Sequence, residues 1–298
     1  MRGLDAAAAP APRSAPVVEE CSSDRLSMFR TQHRFLRYGE FSSVEGFLAY
    51  RDWAAAQQVP LYILGNGSNT LFVHRTVRTL VLRNRLEAWM RNLGEGRVEA
   101  SSSLPIIAIL KHCETHALDS FYFLASVPAQ VGGALAMNAG GGTGPTILDF
   151  VESVTFMERG QRATLRGDEI WRKHRQTMFT GVHDRLIVSA VFCFPARLIE
   201  QSEIRKRINW CHEHQDLSAP NCGSVFRVYH APILRRFRGL PPWGIRWPVL
   251  RAQFSRKVNN WIICKSGRSW SVVLLIRMVQ LVHRLFGKHA IPEVIEVD

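Results

Sequence analysis

The chain has no C-x-x-C pair, no uninterrupted apolar run of membrane-spanning length, and a shortage of acidic residues. Its six cysteines, Cys21, Cys113, Cys193, Cys211, Cys222 and Cys264, are scattered along 298 residues. That distribution excludes the dense disulfide framework of a small secreted domain and reads as a reduced, cytoplasmic thiol set. The longest apolar stretch, 272–286, is interrupted by Arg277, Gln280, His283 and Arg284, and falls short of the roughly 20 residues a span needs. No membrane partner is therefore expected. The first residues hold no apolar segment long enough for secretion, and the Ala- and Pro-rich stretch 1–23 is expected to form a disordered tail. Lys plus Arg number 38 against 25 Asp plus Glu, a net charge of +13. Such a balance favours anionic partners: nucleic acid, acidic lipid or phosphorylated small molecules.

With 46% hydrophobic residues the chain is globular, and its length predicts two or three compact units. A first unit spans 24–82. The capping-box spacing from Ser42 to Glu45 predicts a helix over 47–58 behind Ser42. Residues 60–64 read as a buried strand running into Gly65, and 80–82 as a second apolar run. A second unit, 83–195, alternates strand-like runs with a helix over 104–116 opened by Ser103. A third, 196–287, has a charged helix over 200–212, a Pro/Gly-rich middle and an amphipathic helix over 272–285, and a segment 288–298 follows. No fixed repeat period is present, so solenoids are excluded; the class is α+β or α/β.

Five segments are candidates for chemistry. Leu64, Gly65, Asn66, Gly67, Ser68 and Asn69 follow the buried strand directly. Small residues there let successive N–H groups converge on an anion such as a pyrophosphate, although the same residues also build ordinary turns. Residues 131–144 hold six glycines and Asn138, a density that suits close backbone approach to a flat or phosphorylated ligand, or else a surface loop. Two such segments in adjacent units point to a nucleotide or dinucleotide between them. Ser224 follows Gly223 ahead of a strand-like Val-Phe, where its hydroxyl could give or take a proton or simply sit in a turn; the G-x-S-x-G of a nucleophile elbow is absent. Cys211, His212 and His214 with Cys222 match no standard zinc spacing, so no metal is expected. Arg235, Arg236, Arg238 and Arg246 with Trp243 and Trp247 have the composition of a nucleic-acid patch, yet no binding motif accompanies them. A patch for an acidic small-molecule substrate explains them equally well, so nucleic acid is not the expected partner.

Taken in order, five segments resemble the UDP-N-acetylenolpyruvoylglucosamine reductase family, flavoenzymes of peptidoglycan synthesis with the vanillyl-alcohol-oxidase-like FAD-binding fold. Leu64–Asn69 is similar to the family's LGGGSN loop. The run from Val127 and Pro128 through Gly132, Gly133, Asn138 and Ala139 to Gly140 is similar to IPGxVGGAxxMNAG, the most specific of the matches. His174–Phe179 resembles YRxSxF, Gly223–Phe226 resembles GSVF, and Pro292–Val294 resembles the terminal PEV. The chain departs from the pattern at Gln32 and His33, at Ala100 and Ser102, and at Ala129, where the family has glycine, and His174 stands where it has tyrosine.

The resemblance implies an α+β fold in which the first two units hold non-covalent FAD. The third unit carries the substrate, and residues 288–298 return to the site. It implies that Leu64–Asn69 and the 127–140 residues named above bind the cofactor, and that NADPH is the co-substrate. The implied reaction is reduction of the nucleotide sugar UDP-N-acetylenolpyruvoylglucosamine to UDP-N-acetylmuramate in the cytoplasm. Within it, Arg175 stabilises the developing carboxylate charge, Glu293 assists and Ser224 protonates carbon. Two other readings share these residues: a flavin reductase of another unsaturated acid, and an FAD-binding protein without this catalysis. The oligomeric state stays open.

Overall fold

The computed structural model of the chain describes residues 15–142, 144–198, 200–239, 251–265 and 267–298. Its first unit contains β1 (Glu19–Ser23), β2 (His33–Phe41), α1 (Val44–Ala56), β3 (Leu61–Leu64), β4 (Thr70–Phe72), β5 (Thr76–Val77) and β6 (Leu80–Asn84). β2, β6 and β3 run parallel, with Tyr38 opposite Val81 and Leu61 opposite Leu80. β1 closes one edge antiparallel to β2, Cys21 facing Phe35. The end of the expected tail is therefore a strand: Glu19, Cys21, Ser22 and Ser23 each face a residue of β2 although none is strongly apolar. α1 buries Phe47, Leu48 and Tyr50 against Phe41, Leu80 and Leu82. Its N-cap is Ser43, not Ser42: Ser43 has extended backbone (φ −139°) and its Oγ accepts from Gly46 N at 3.0 Å.

The second unit is an antiparallel sheet in the order β10-β9-β13-β8-β7, built from β7 (Met90–Gly94), β8 (Arg97–Ser101), β9 (Val151–Glu158), β10 (Gln161–Arg166) and β13 (Arg185–Cys193). α2 (Ile106–Thr115) and the short α3 (Val131–Ala136) pack on it, and β11 (Arg172–Lys173) and β12 (Gln176–Thr177) form a small hairpin. Phe121, Phe192 and Phe194 lie at the centre of its core, with Phe121 edge-on to the other two rings at 5.6 and 5.7 Å. Such pairs add about 0.5–1.5 kcal/mol each beyond burial. Ser103 does not open α2. Pro105 occupies the N-cap position, and Ser103 Oγ instead donates to Glu87 O. The glycine-rich run is also not all loop, since its first six residues wind into α3.

The third unit holds α4 (Glu203–His214), β14 (Phe226–Val228), α5 (Ala231–Arg235), β15 (Ala252–Phe254), β16 (Ile262–Cys264) and α6 (Trp270–Leu285). α4 starts three residues later than the sequence pattern suggests, because Ser202 Oγ accepts from Arg205 N; α6 starts two residues earlier. α6 packs Val272, Leu275, Ile276 and Val279 against Phe226, Leu234, Phe254 and Ile262. β17 (Ile291–Pro292) then pairs with β14, and β18 (Ile295–Val297) lies parallel to β4 with Ile295 opposite Thr70. The last eight residues thus tie the third unit to the first, and Glu293 sits at that crossing. None of the six cysteines forms a disulfide.

Candidate active site

A cleft of about 420 Å³ runs between the three units. The first unit contributes Gly65, Asn66, Gly67, Ser68 and Asn69, and the second contributes Val127, Gly132, Gly133, Ala139 and Gly140. Arg175, Ser224 and Glu293 line the same cleft. Most of the expected residues are therefore brought together, and three are not. Leu64 is 1% exposed and belongs to the core behind β3. Pro128 lies outside the lining and offers its carbonyl to Asn66 Nδ2 at 3.2 Å. Asn138 takes a left-handed turn (φ +42°) after α3 and donates to Lys173 O at 3.1 Å. It braces the 172–177 hairpin rather than facing the cleft, with its Oδ1 buried and unpartnered among the described residues.

The loop after β3 owes its shape to packing. Gly67 has φ +68°, and a Cβ there would stand 2.2 Å from Leu26 O; its carbonyl accepts from Met28 N. Gly133 differs. It lines the cleft, and a Cβ built on it meets nothing within 4 Å, so the opening above α3 is space that only glycine leaves free. Gln130, at the head of α3, has a buried Oε1 without a partner, 3.0 Å from where a Gly65 Cβ would be. Arg207 Nε, on α4 at the other wall, is likewise buried and unpartnered among the described residues. A flat ligand bearing phosphates, hydroxyls and ring nitrogens would satisfy this combination of open backbone, unpartnered amide oxygen and unpartnered guanidinium Nε, and FAD has those groups.

Arg175 occupies the turn between β11 and β12 at φ +58°, a left-handed position uncommon for a side chain of this size. Its Nη2 donates to Gly140 O at 2.7 Å, and its Nε stands 3.2 Å from Glu293 Oε1 without hydrogen-bond alignment. Both side chains are about 15% exposed. Burial pushes the Glu293 carboxyl up to about 7, against the pull of Arg175 and Arg227. His174 is held below its usual value by burial and by the same two arginines. Ser224 follows Gly223 (φ +71°), bridges to Trp261 through its backbone, and has no hydrogen bond from its hydroxyl among the described residues.

Several lining residues were not singled out by any motif: Arg207, Trp261 and His183 lie outside the matched segments, and Gln130 stands at the variable position of the 127–140 run. His183 is the most perturbed. Burial pushes it down to about 4, and its Nδ1 accepts from Ile63 N at 3.3 Å, so it is neutral with the proton on Nε2. The departures from the family pattern divide. Ser102 and Ala129 line the cleft. His33 is a core residue, bonded to His74 O and Thr31 Oγ1 at 2.7 Å each. Cys211 donates to Ser126 Oγ while Cys222 is buried beside Gly67 O and Thr70 O, so the two thiols serve separate packing roles. Of the basic group, Arg235 and Arg236 lie on and just after α5, and Arg238 donates to Arg256 O. Trp243, Arg246 and Trp247 lie outside the described residues.

Comparison with known proteins gives the family. The FAD binding domain family matches residues 40–161. A UDP-N-acetylenolpyruvoylglucosamine reductase of Aquifex aeolicus (strain VF5) is 30% identical over 272 residues, covering 88% of this chain and 89% of that protein. The protein of the same name from Clostridium botulinum (strain Eklund 17B / Type B) is 30% identical over 251 residues, covering 80% of this chain and 78% of its own. In fold, the crystal structure of UDP-N-acetylenolpyruvylglucosamine reductase from Thermus caldophilus matches with a TM-score of 0.73, covering 95% of this chain and 100% of that one at 21% identity. No helix among the described residues is long and apolar enough to cross a membrane. The chain belongs to the UDP-N-acetylenolpyruvoylglucosamine reductase family.

Proposed function

We propose that this chain is the FAD-dependent, NADPH-consuming reductase that converts UDP-N-acetylenolpyruvoylglucosamine to UDP-N-acetylmuramate in the cytoplasm, supplying peptidoglycan synthesis. In this reading the units 24–82 and 83–195 grip the cofactor, 196–287 covers it, and 288–298 returns to the site. The observation that carries it is the Arg175–Glu293 pair facing Ser224's cleft, next to the glycine-lined walls of the first two units. FAD, when bound, supplies a two-electron carrier between NADPH and the enolpyruvyl carbon. Gly65–Asn69, Gly132, Gly133 and Gln130 would hold it.

The protein's own groups account for the rest of the chemistry. Reduction of an enol ether bearing a carboxylate builds negative charge on that carboxylate, and preorganised donors lower the barrier most where charge develops. The planar fork of Arg175 fits a carboxylate, and its Nη2 is already fixed by Gly140 O. Glu293, held near 7, is about half protonated at neutral pH and largely so below it, and its protonated form can donate a hydrogen bond to the same group. Ser224 places a free hydroxyl where it can give its proton to the neighbouring carbon. The net charge of +13 suits three polyanionic ligands: FAD, NADPH and a nucleotide sugar. The test is NADPH oxidation by the purified protein with the enolpyruvyl nucleotide sugar, with the lactyl ether identified by mass. Oxidation that is indifferent to this substrate would exclude the reading.

A further inference from the structure

The third unit presents a surface the cleft does not use. α6 buries one face in the core, yet its opposite face is also apolar. Trp270, Leu274, Met278, Leu281 and Leu285 fall at helical spacing along one stripe, and they are 38, 37, 42, 55 and 74% exposed. Phe286, next in line, is 62% exposed. A contiguous apolar patch of this kind marks a surface that is covered in use.

Charge indicates what covers it. α6 contains no acidic residue, and Arg277 and Arg284 flank the stripe. At its N-terminal end lies a cavity of about 1020 Å³ that Trp270 shares with Arg75, Arg251, Lys265 and Arg268. None of these four cations has a carboxylate partner among the described residues. At the other end an apolar groove of about 430 Å³ between Ile233, Phe237, Val282 and Phe286 is also lined by Arg236 and Lys288. The carboxylates near this face are Glu296, paired with Arg277, and Asp298, 3.6 Å from His74. A second copy of the chain docked stripe to stripe would bring Arg277 and Arg284 against their own images, which like-charge repulsion opposes. An apolar stripe between two groups of cations fits a surface with hydrocarbon below and phosphate above.

We propose that the α6 face docks on an anionic lipid bilayer. The stripe lies at the headgroup–acyl boundary, and the cation-lined cavity beside Trp270 takes lipid phosphate. The expectation of no membrane partner rested on the lack of a spanning segment, and a helix lying in the interface needs none. The inference does not rest on the reductase reading.

Sedimentation of the full chain with phosphatidylcholine vesicles, with and without added phosphatidylglycerol, tests it. The chain is expected to bind the anionic vesicles and to be released by high salt. Leu281→Glu with Leu285→Glu should weaken binding roughly tenfold or more, and Lys265→Glu or Arg268→Glu should cost about fivefold or more for each charge removed. Unchanged thermal unfolding and flavin content would show that these exposed substitutions leave the fold intact. Absence of binding, or equal binding to neutral vesicles, overturns the proposal. So does a dimer in solution that Leu281→Glu converts to monomer, since the stripe then belongs to a second copy.

Discussion

Glu293 Oε1 lies 3.2 Å from Arg175 Nε, although one comes from the link between β17 and β18 and the other from the turn of the β11–β12 hairpin. β18 makes the meeting possible. Its parallel pairing with β4 draws the chain end into the first unit, and Asn69 Nδ2 donates to Glu293 O at 3.0 Å. The Gly65–Asn69 loop and Glu293 are thus fixed by one crossing.

The carboxyl of Glu293 should make stability depend on pH. Its folded value, about 7, lies above the ordinary 4.5, so the folded state holds the proton more tightly than the unfolded state. Stability from this group is complete below pH 4.5 and is lost as pH rises through 7. Melting temperature of the cofactor-free protein should fall across that window, and Glu293→Gln, which cannot ionise, should flatten the fall. The substrate half-reaction of the parent should also decline as pH rises through 7, a limb absent from Glu293→Gln.

Ser224→Ala should leave reduction of the flavin by NADPH nearly unchanged, because that step needs no proton from the serine. Reoxidation by the enolpyruvyl substrate should slow by about 10²–10⁴-fold. Ser224→Cys, which keeps a transferable proton, should recover part of the rate. Stopped-flow absorbance of the flavin separates the two steps.

Arg175→Lys should weaken both substrate affinity and the substrate half-reaction, since a point charge cannot span a carboxylate and also hold Gly140 O. Loss in KM alone, with the half-reaction intact, would restrict Arg175 to binding.

Two glycines of the cleft walls should respond differently. Gly67→Val meets Leu26 O and a φ of +68°, so it should lower the melting temperature as well as flavin content. Gly133→Leu enters open space on a helix, where leucine is the better helix former by about 0.8 kcal/mol. It should keep or raise the melting temperature while reducing FAD affinity, measured by flavin fluorescence. FAD binding unchanged in Gly133→Leu would place the cofactor elsewhere.

Residues that share a motif were legible from the sequence: the Gly65–Asn69 loop, Gly132–Gly133, Arg175, Ser224 and Glu293 meet at one cleft. What spacing could not separate was contact from bracing. Asn138 belongs to the same motif as Gly140 yet serves the hairpin, because its left-handed backbone turns its amide to Lys173 O. Arg207 and His183 arrive singly from separate segments, and Gln130 stands at the variable position of its run, so only tertiary packing shows that they meet. Local signals misplaced helix starts where two residues compete, as with Ser42 and Ser43, since a cap is decided by backbone angles rather than side-chain type. β1 was read as tail because its strand exists only through its ladder with β2.

The most direct measurement is rapid mixing of the NADPH-reduced protein with UDP-N-acetylenolpyruvoylglucosamine, following return of the oxidised flavin spectrum without oxygen. The proposed function predicts complete reoxidation at a rate that rises with the nucleotide sugar, slowed in Ser224→Ala and Arg175→Lys. Reduced flavin that persists in the presence of this substrate would contradict it.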